Sequence, residues 1–139
     1  DVYLNVLKEY HIDLILLAGF MKKIPNNLIK NYKNKIINVH PSLLPKYGGK
    51  GFYGMKVHQH VFKNKDKKTG ATIHFVNSEY DKGPIILQKE LDVVDSESAE
   101  SISKRVLDIE YELYLKVLNL YFNNKIRIIN NKVIVNEEN

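Results

Sequence analysis

A short, continuous apolar run from Leu14 to Ala18 is the feature that most constrains the fold of this chain. The run does not alternate apolar with polar side chains, and Gly19 ends it. That pattern is typical of a parallel strand that is buried on both faces. Parallel strands of this kind occur in α/β proteins, in which helices cover the sheet.

Helical patterns surround this run. Apolar residues four apart predict a short helix over Val2 to Tyr10. Pro25 and Asn26 open a second helix, which is followed by a strand rich in β-branched residues over Lys35 to Val39. The apolar face of the second helix consists of Leu28, Ile29 and Tyr32. The segment from His40 to Gly54 is rich in Pro and Gly and is predicted to be a loop, and Met55 to Phe62 returns to helix.

The second half of the chain predicts two further strands, Ala71 to Val76 and Pro84 to Val94. Ser96 is the predicted N-cap of a long helix, with Glu97 and Glu100 near its favourable first turn. Apolar residues at spacings of four and three predict that one face of this helix is buried. They are Ile102, Val106, Ile109, Leu113, Val117 and Leu120.

A hairpin is predicted at the end of the chain, where strands over Ile126 to Ile129 and Val133 to Val135 flank the turn Asn130-Asn131. The whole pattern predicts an α/β fold. We expect an open, mainly parallel twisted sheet with an antiparallel extension and flanking helices. In such sheets ligands bind beyond the carboxyl ends of the strands, which directs attention to the loops after Val39 and Val76.

The length and composition suit one soluble domain. The chain has 139 residues, no Cys and a formal net charge of +5. Without Cys there is no disulfide or thiolate chemistry, and a cytoplasmic location is expected. The scattered Lys residues favour a solvated surface over a basic cleft that attracts anionic small molecules, and nucleic-acid binding has still less support. No apolar run reaches the roughly 20 residues of a membrane span.

Asn38 and His40 stand two apart at the end of a predicted strand, so both side chains point to the same face. Pro41 restricts the backbone of His40 and helps to hold its imidazole. Asp81, in the loop Tyr80-Asp81-Lys82-Gly83-Pro84, is expected near His40, where a carboxylate raises the pKa of an imidazole. Taken alone, Asn38 and His40 favour an ordinary polar pair at a strand end, and Asp81 favours an ordinary turn residue, over a catalytic site.

Two longer motifs favour the catalytic interpretation. The segment Asn38-Val39-His40-Pro41-Ser42-Leu43-Leu44-Pro45 resembles the Asn-x-His-Pro-Ser-Leu-Leu-Pro signature of folate-dependent formyltransferases. The segment from Gly70 to Val76, running on to Asp81-Lys82-Gly83-Pro84-Ile85, is similar to the second signature of that family. The resemblance extends from Asp13 to about Tyr121. The segments Leu17 to Met21 and Pro45 to Gly51 look like the branch that acts on glycinamide ribonucleotide.

The resemblance implies transfer of a formyl group from 10-formyltetrahydrofolate, as co-substrate, to the amine of 5-phosphoribosylglycinamide, without a metal. It implies that Asn38 and His40 stabilise the oxyanion of a tetrahedral intermediate, that His40 is the general acid, and that Asp81 holds His40 charged and positions water. Glu110 matches a Glu that binds the sugar hydroxyls, although a solvated helix Glu is an equal interpretation. The implied folate-binding residues are Met21, Lys22, Lys23, Ile24, Asn38, Ser78, Glu79 and Tyr80. Lys22 departs from the family, which often has Arg there.

Other residues carry weaker expectations. His74 matches a family His near the site, but a core histidine with satisfied hydrogen bonds is favoured, and His58 and His60 are interpreted as structural or surface residues. Small-molecule substrates are the expected partners, with no nucleic acid and no membrane, and a homodimer is compatible with the sequence.

The resemblance also implies that residues 1–139 form a single formyltransferase domain that lacks an N-terminal phosphate-binding portion, since the family's phosphate loop would precede Asp1. An open sheet edge and poor stability are then expected. The open alternatives are a formyltetrahydrofolate hydrolase, a methionyl-tRNA formyltransferase and a non-catalytic remnant that keeps only the fold.

Overall fold

A computed structural model describes residues 2–137, so Asp1, Glu138 and Asn139 lie outside the described residues. The described part contains four helices and six strands. In chain order they are α1 (Val2–Glu9), β1 (Ile15–Ala18), α2 (Asn26–Asn31), β2 (Ile36–His40), α3 (Met55–Lys63), β3 (Lys68–Phe75), β4 (Ile85–Asp92), α4 (Ala99–Phe122), β5 (Ile126–Ile129) and β6 (Lys132–Val135). Each predicted helix and strand is present, with ends shifted by at most a few residues.

The first four strands form one mixed sheet in the order β1-β2-β3-β4. β1 and β2 are parallel, with Ile15 opposite Ile36, whereas the β2–β3 and β3–β4 pairs are antiparallel. The predicted α/β class and the antiparallel extension are confirmed, and the described sheet is mixed, with one parallel and two antiparallel pairs, where a mainly parallel sheet was expected.

The predicted burial of β1 on both faces is wrong. Ile15 and Leu17 are half-buried, whereas Leu16 is 44% exposed and Ala18 is exposed. The reason is the position of the strand: among the described strands β1 pairs only with β2 and forms the edge of the sheet. An apolar run identifies a strand but does not reveal how many neighbours cover it.

Two apolar clusters lie on opposite faces of the sheet. The larger one packs α4 against β2, β3 and β4, and the six predicted core residues of α4 are all buried. The smaller one packs α1 and α2 against β1 and β2, around Leu28, Tyr32 and Ile36. The hydroxyl of Tyr114 on α4 donates to the carbonyl of Leu17, which ties this helix to the edge strand.

The N-cap of α4 is Ser98 and not the predicted Ser96. Ser98 has extended backbone and its Oγ accepts from the N–H of Ser101 at 3.1 Å. Glu97, expected in the first turn, precedes the helix and is buried. Its carboxylate accepts from the N–H of Val94 at 3.1 Å and from Arg105 Nη1 at 2.6 Å. When α4 begins at Ala99, the side chains of Ala99 and Ile102 are buried in the core. This burial explains why Ser98, and not Ser96, is the N-cap.

The predicted terminal hairpin is confirmed as a separate two-stranded sheet of β5 and β6. Asn130 and Asn131 have φ angles of 51° and 62°, the left-handed backbone that a tight hairpin turn needs and that Asn tolerates. The inner side chains of the hairpin extend the larger cluster.

Candidate functional site

A cavity of about 640 Å³ opens at the carboxyl end of β2. It lies where the loop after β1, the glycine-rich loop before α3, the loop after β3 and one side of α4 meet. This is the position at which open α/β sheets bind ligands. The predicted catalytic and binding residues all line it: Met21, Lys22, Lys23, Ile24, Asn38, His40, Ser78, Glu79, Tyr80, Asp81 and Glu110.

Strand β2 supplies Asn38 and His40 to the same face, as the period of two predicted. In the neighbouring strand β3, His74 lies opposite Asn38 and Thr72 lies opposite His40. The amide Nδ2 of Asn38 is 3.3 Å from Nε2 of His74. Because the sheet fixes both backbones, the amide and the two imidazoles have little freedom to move apart.

His40 is 4% exposed, and each of its ring nitrogens has a defined neighbour. Nε2 is 2.7 Å from the carbonyl oxygen of Tyr47, and Nδ1 is 3.3 Å from Oδ1 of Asp81. A carbonyl oxygen only accepts hydrogen bonds, so Nε2 carries a proton and donates it to Tyr47. In neutral His40 the lone pair is therefore on Nδ1, the nitrogen that faces Asp81.

Asp81 is held by groups from two directions. The N–H of Gly49 donates to Oδ2 at 3.0 Å, while Oδ1 faces His40 and lies 3.6 Å from Nε2 of His74. Burial raises the pKa of Asp81, but the contacts with His74, His40 and Gly49 together outweigh burial and leave the pKa below its usual value. Asp81 is therefore a carboxylate at neutral pH.

The expected increase in the pKa of His40 is not the net result. Burial lowers the pKa of His40, and this effect exceeds the increase caused by the Asp81 carboxylate and by the bond to Tyr47. The positive charge of a protonated His74 would lower it further. Burial therefore favours the neutral form of His40, whereas Asp81 reduces the cost of protonating it, because only a protonated Nδ1 can donate to the carboxylate.

The loop after His40 is fixed by β3 and β4 through buried polar contacts. Thr72 Oγ1 donates to the carbonyl of Ser42 at 2.7 Å and accepts from the N–H of Leu44 at 3.1 Å. Gln88 Nε2 donates to the carbonyl of Leu44 at 2.8 Å. These bonds explain why the Pro-Ser-Leu-Leu-Pro segment, although irregular, keeps one backbone path beside the site.

Glu110 projects from α4 into the cavity. Burial without a nearby cation raises its pKa to about 7, so the side chain changes charge near neutral pH. Glu110 is half-buried at the cavity, and its role towards the sugar hydroxyls stays a prediction.

Two histidines contribute more to the cavity than the sequence indicated. His74 has satisfied contacts, as predicted, since Nδ1 is 2.9 Å from the carbonyl of Phe75, but its Nε2 faces Asn38 and Asp81 in the cavity. His58, interpreted as structural or surface, is 3% exposed and lines the cavity, and its Nδ1 has no hydrogen-bond partner among residues 2–137. The available signal for His58 was its place beside Val57 and near Val61 on the buried face of α3.

Within residues 2–137 no group of three or more His, Cys, Asp or Glu side chains is arranged to hold a metal ion. None of the helices in the described part is both long and apolar enough to cross a membrane.

The chain matches known proteins over nearly its whole length. The family model described as formyl transferase matches residues 2–118. The chloroplastic phosphoribosylglycinamide formyltransferase of Arabidopsis thaliana is 43% identical over 123 residues, which are 88% of this chain and 42% of the relative. The chain thus spans less than half the length of that relative.

Solved structures agree with this match. The phosphoribosylglycinamide formyltransferase of Anaplasma phagocytophilum superposes with a TM-score of 0.90 at 35% identity, covering 99% of this chain and 66% of that one. A formyltetrahydrofolate deformylase of Pseudomonas syringae superposes with a TM-score of 0.87 at 28% identity, covering 96% of this chain and 43% of that one. The matched family model and these relatives show that the chain belongs to the formyl transferase family.

Proposed function

We propose that this chain carries the catalytic centre of a phosphoribosylglycinamide formyltransferase, which transfers a formyl group from 10-formyltetrahydrofolate to the amine of 5-phosphoribosylglycinamide in purine biosynthesis. The observation that carries the proposal is the contact between the imidazole of His40 and the carboxylate of Asp81, beside the amide of Asn38, in the cavity. The names of the plant and bacterial relatives support the choice of acceptor.

The proposed reaction is an acyl transfer. The amine of the acceptor attacks the formyl carbon, and the electron pair of the C=O bond moves onto oxygen to give a tetrahedral intermediate. The carbonyl then re-forms while the bond between carbon and N10 of the folate breaks. Overall, the amine loses one proton and N10 gains one, so the site needs a group that takes up and returns a proton.

His40 is the proposed proton carrier, and Nδ1 is the atom involved because Nε2 is committed to the carbonyl of Tyr47. Its lowered pKa makes His40 a base at neutral pH. Once protonated, it is stabilised by the Asp81 carboxylate and can act as the general acid for N10. Asp81 is also the proposed holder of a water molecule that relays protons.

Asn38 is the proposed oxyanion donor, together with protonated His40. Its Nδ2 carries two N–H groups, and a contact with His74 Nε2 at 3.3 Å uses one of them, which leaves the second N–H for the developing charge. The donor lies on a strand and is therefore preorganised, which is what makes such a hydrogen bond effective in catalysis.

The folate is proposed to lie between two loops that face each other across the cavity. One consists of Met21, Lys22, Lys23 and Ile24, and the other of Ser78, Glu79 and Tyr80. Glu110 is the proposed partner of the sugar hydroxyls of the ribonucleotide, to which a carboxylate can accept two hydrogen bonds. A cytoplasmic location, a homodimer and a single domain over residues 1–139 that lacks its phosphate-binding portion belong to the same proposal.

The test is release of tetrahydrofolate from 10-formyltetrahydrofolate, measured with and without glycinamide ribonucleotide. It should be run on the chain alone and on a fusion in which the part of the Anaplasma protein without a counterpart here is placed ahead of the chain. We expect release by the fusion that depends on the ribonucleotide. Folate binding without any release by the fusion would contradict the proposal and support the non-catalytic remnant.

The second candidate is a formyltetrahydrofolate hydrolase, favoured by the structural similarity to the Pseudomonas deformylase. The same Asn, His and Asp side chains can direct water to the formyl carbon in place of an amine. Formate and tetrahydrofolate released at equal rates, whether or not the ribonucleotide is present, would establish this candidate and exclude the transferase. The remaining alternative is a methionyl-tRNA formyltransferase. It is tested by supplying charged methionyl-tRNA as the acceptor and measuring its formylation.

A further inference from the structure

The segment 46–49, between the Pro-Ser-Leu-Leu-Pro motif and the glycine-rich loop, contacts both members of the His40–Asp81 pair through its backbone. The carbonyl of Tyr47 accepts from His40 Nε2 at 2.7 Å, and the N–H of Gly49 donates to Asp81 Oδ2 at 3.0 Å. One carbonyl and one N–H, two residues apart, thus orient the imidazole and the carboxylate towards each other. A displacement of this segment would release both side chains together.

The backbone of this segment is unfavourable in isolation. Tyr47 has a φ of 52°, a left-handed conformation that the side chain of a non-glycine residue disfavours, and Gly49 has a φ of 95°. Gly48 lies against the pair as well, since a Cβ there would be 3.4 Å from Cβ of Asp81. Local bonds hold part of the segment: Ser42 Oγ donates to the carbonyl of Lys46 at 2.5 Å, and the N–H of Gly48 donates to the carbonyl of Pro45 at the longer distance of 3.3 Å. Contacts from elsewhere in the fold add to these bonds.

The side chain of Tyr47 supplies such a contact. Its hydroxyl donates to Oδ2 of Asp66 at 2.8 Å and accepts from Nδ2 of Asn64 at 2.8 Å, so both hydrogen-bonding capacities are used. Its ring also packs against Phe52 and His60, with centroids 5.8 and 5.7 Å away. The hydroxyl therefore fixes the segment to the turn that ends α3.

Asp66 is suited to act as a fixed anchor. Its side chain is only 12% exposed, and the ammonium of Lys46 lies 3.0 Å from Oδ2 and balances its charge. Neither Tyr47 nor Asp66 lines the cavity, so neither is placed to touch a substrate.

We propose that Tyr47 and Asp66 are positioning residues: their hydroxyl–carboxylate hydrogen bond holds segment 46–49 so that its backbone fixes the proton of His40 on Nε2 and leaves Nδ1 to exchange a proton beside Asp81. The kinetic consequence rests on the proposed formyl transfer. The consequence for the tautomer of His40 does not, because it is a property of the protein without substrate.

The direct test is ¹⁵N NMR of the 139-residue chain labelled in histidine, since the ¹⁵N shifts of a neutral imidazole distinguish the Nε2–H from the Nδ1–H tautomer. We expect neutral His40 to be Nε2–H in the unsubstituted chain. In Tyr47→Phe, which keeps the ring but removes the hydroxyl, we expect averaged shifts that indicate a mixture of tautomers. Tyr10→Phe is the matched control, since Tyr10 is 70% exposed and does not line the cavity, and it should leave the His40 shifts unchanged.

Asp66→Ala is the second variant, which removes the acceptor and leaves Tyr47 intact. It should change the His40 shifts at least as much as Tyr47→Phe does, since it also removes the partner of Lys46. The double variant should change the shifts no further than Asp66→Ala alone, since the bond between the hydroxyl and the carboxylate is already broken in that variant. A circular dichroism spectrum equal to that of the unsubstituted chain confirms that a variant is folded. If one variant does not fold, the other decides the outcome.

The kinetic arm uses the fusion described above. Tyr47→Phe should lower kcat by about one to two orders of magnitude, the effect of a small misplacement of catalytic groups, with the KM for the folate unchanged. Because the bond to Tyr47 raises the pKa of His40, the acid limb of the pH profile should move to lower pH. An Nδ1–H tautomer in the unsubstituted chain, or His40 shifts that neither variant alters, would overturn the proposal. A tautomer change in a fusion without transferase activity would instead reject the proposed function alone.

Discussion

His40 Nδ1 and Asp81 Oδ1 lie 3.3 Å apart, although one residue ends a strand and the other belongs to a left-handed turn beyond the next strand. The contact is almost closed to solvent, with side-chain exposures of 5% and 10%. In such a site the charge of Asp81 acts on the imidazole with little screening by water. The pair therefore couples the proton affinity of His40 to a single carboxylate.

Asp81→Asn removes this charge while keeping an oxygen that can accept from Gly49. We expect kcat of the fusion to fall by about 10²- to 10⁴-fold, the range associated with loss of general acid–base catalysis. The dissociation constant of the folate should change little. Steady-state kinetics and fluorescence titration of folate measure the two effects, and Asp108→Asn on the exposed face of α4 is the control. Unchanged turnover would exclude Asp81 from the reaction.

Glu110→Gln should make stability less dependent on pH. Burial raises the pKa of Glu110 from 4.5 to about 7, so folding favours the neutral acid. Its stabilising effect is complete below about pH 4.5 and is lost as the pH rises through about 7. The Gln variant cannot ionise, so we expect its melting temperature to exceed that of the unsubstituted chain at pH 8, with the difference vanishing towards pH 4.5.

Thermal melts at pH 4.5, 6, 7 and 8 test this expectation. Asp108→Asn, at an exposed position two residues away on the same helix, controls for the loss of a negative charge from α4. A difference of the same size at every pH would show that the substitution acts through packing and not through ionisation.

The predictions that succeeded from sequence depend on local periodicity or on whole motifs. The buried stripe of α4 follows from the 3.6-residue repeat alone, and Asn38 and His40 share a face because strand side chains alternate. Asp81 could be placed near His40 only through the second family motif. Nothing in the turn around Asp81 indicates which residue of the chain it contacts.

The predictions that failed depend on the rest of the fold. Burial of β1 depends on the number of its neighbours, and the net pKa of His40 depends on burial, which outweighs the visible effect of Asp81. The contact between Tyr47 and Asp66 joins an irregular loop to the end of a helix. The direction of the Tyr47 side chain depends on its left-handed backbone, and nothing in the sequence around Tyr47 indicates that conformation.

Ser98→Ala and Ser96→Ala form a matched pair that tests the N-cap of α4. Ser98 Oγ accepts from the N–H of Ser101, so its loss leaves a helix N–H without a partner and should reduce the free energy of unfolding by about 1 kcal/mol. Ser96 is exposed outside the helix, and its replacement should change stability by less than about 0.5 kcal/mol. Urea denaturation measures both values. Equal losses of unfolding free energy, or a larger loss for Ser96→Ala, would contradict the assignment of Ser98 as the N-cap.

Gly83→Ala should destabilise the fold through the backbone of the turn that carries Asp81. A Cβ at this position would lie 1.6 Å from the carbonyl oxygen of Phe75, far inside any tolerated contact, and that oxygen belongs to the last residue of β3. The turn or the strand must therefore move, and we expect a loss of at least about 3 kcal/mol, at the upper end of the cost of overpacking.

Gly51→Ala is the control for the glycine in the turn. Gly51 has a φ of 90° but nothing within 4 Å of an added Cβ, so its replacement carries backbone strain of only about 1 to 2 kcal/mol. Urea denaturation should therefore give a lower midpoint for Gly83→Ala than for Gly51→Ala. Because the displaced turn holds the Asp81 carboxylate, the folded fraction of Gly83→Ala should also lose formyl transfer. Equal midpoints for the two variants would mean that the turn after β3 yields without strain and that glycine is not required there to set Asp81 against His40.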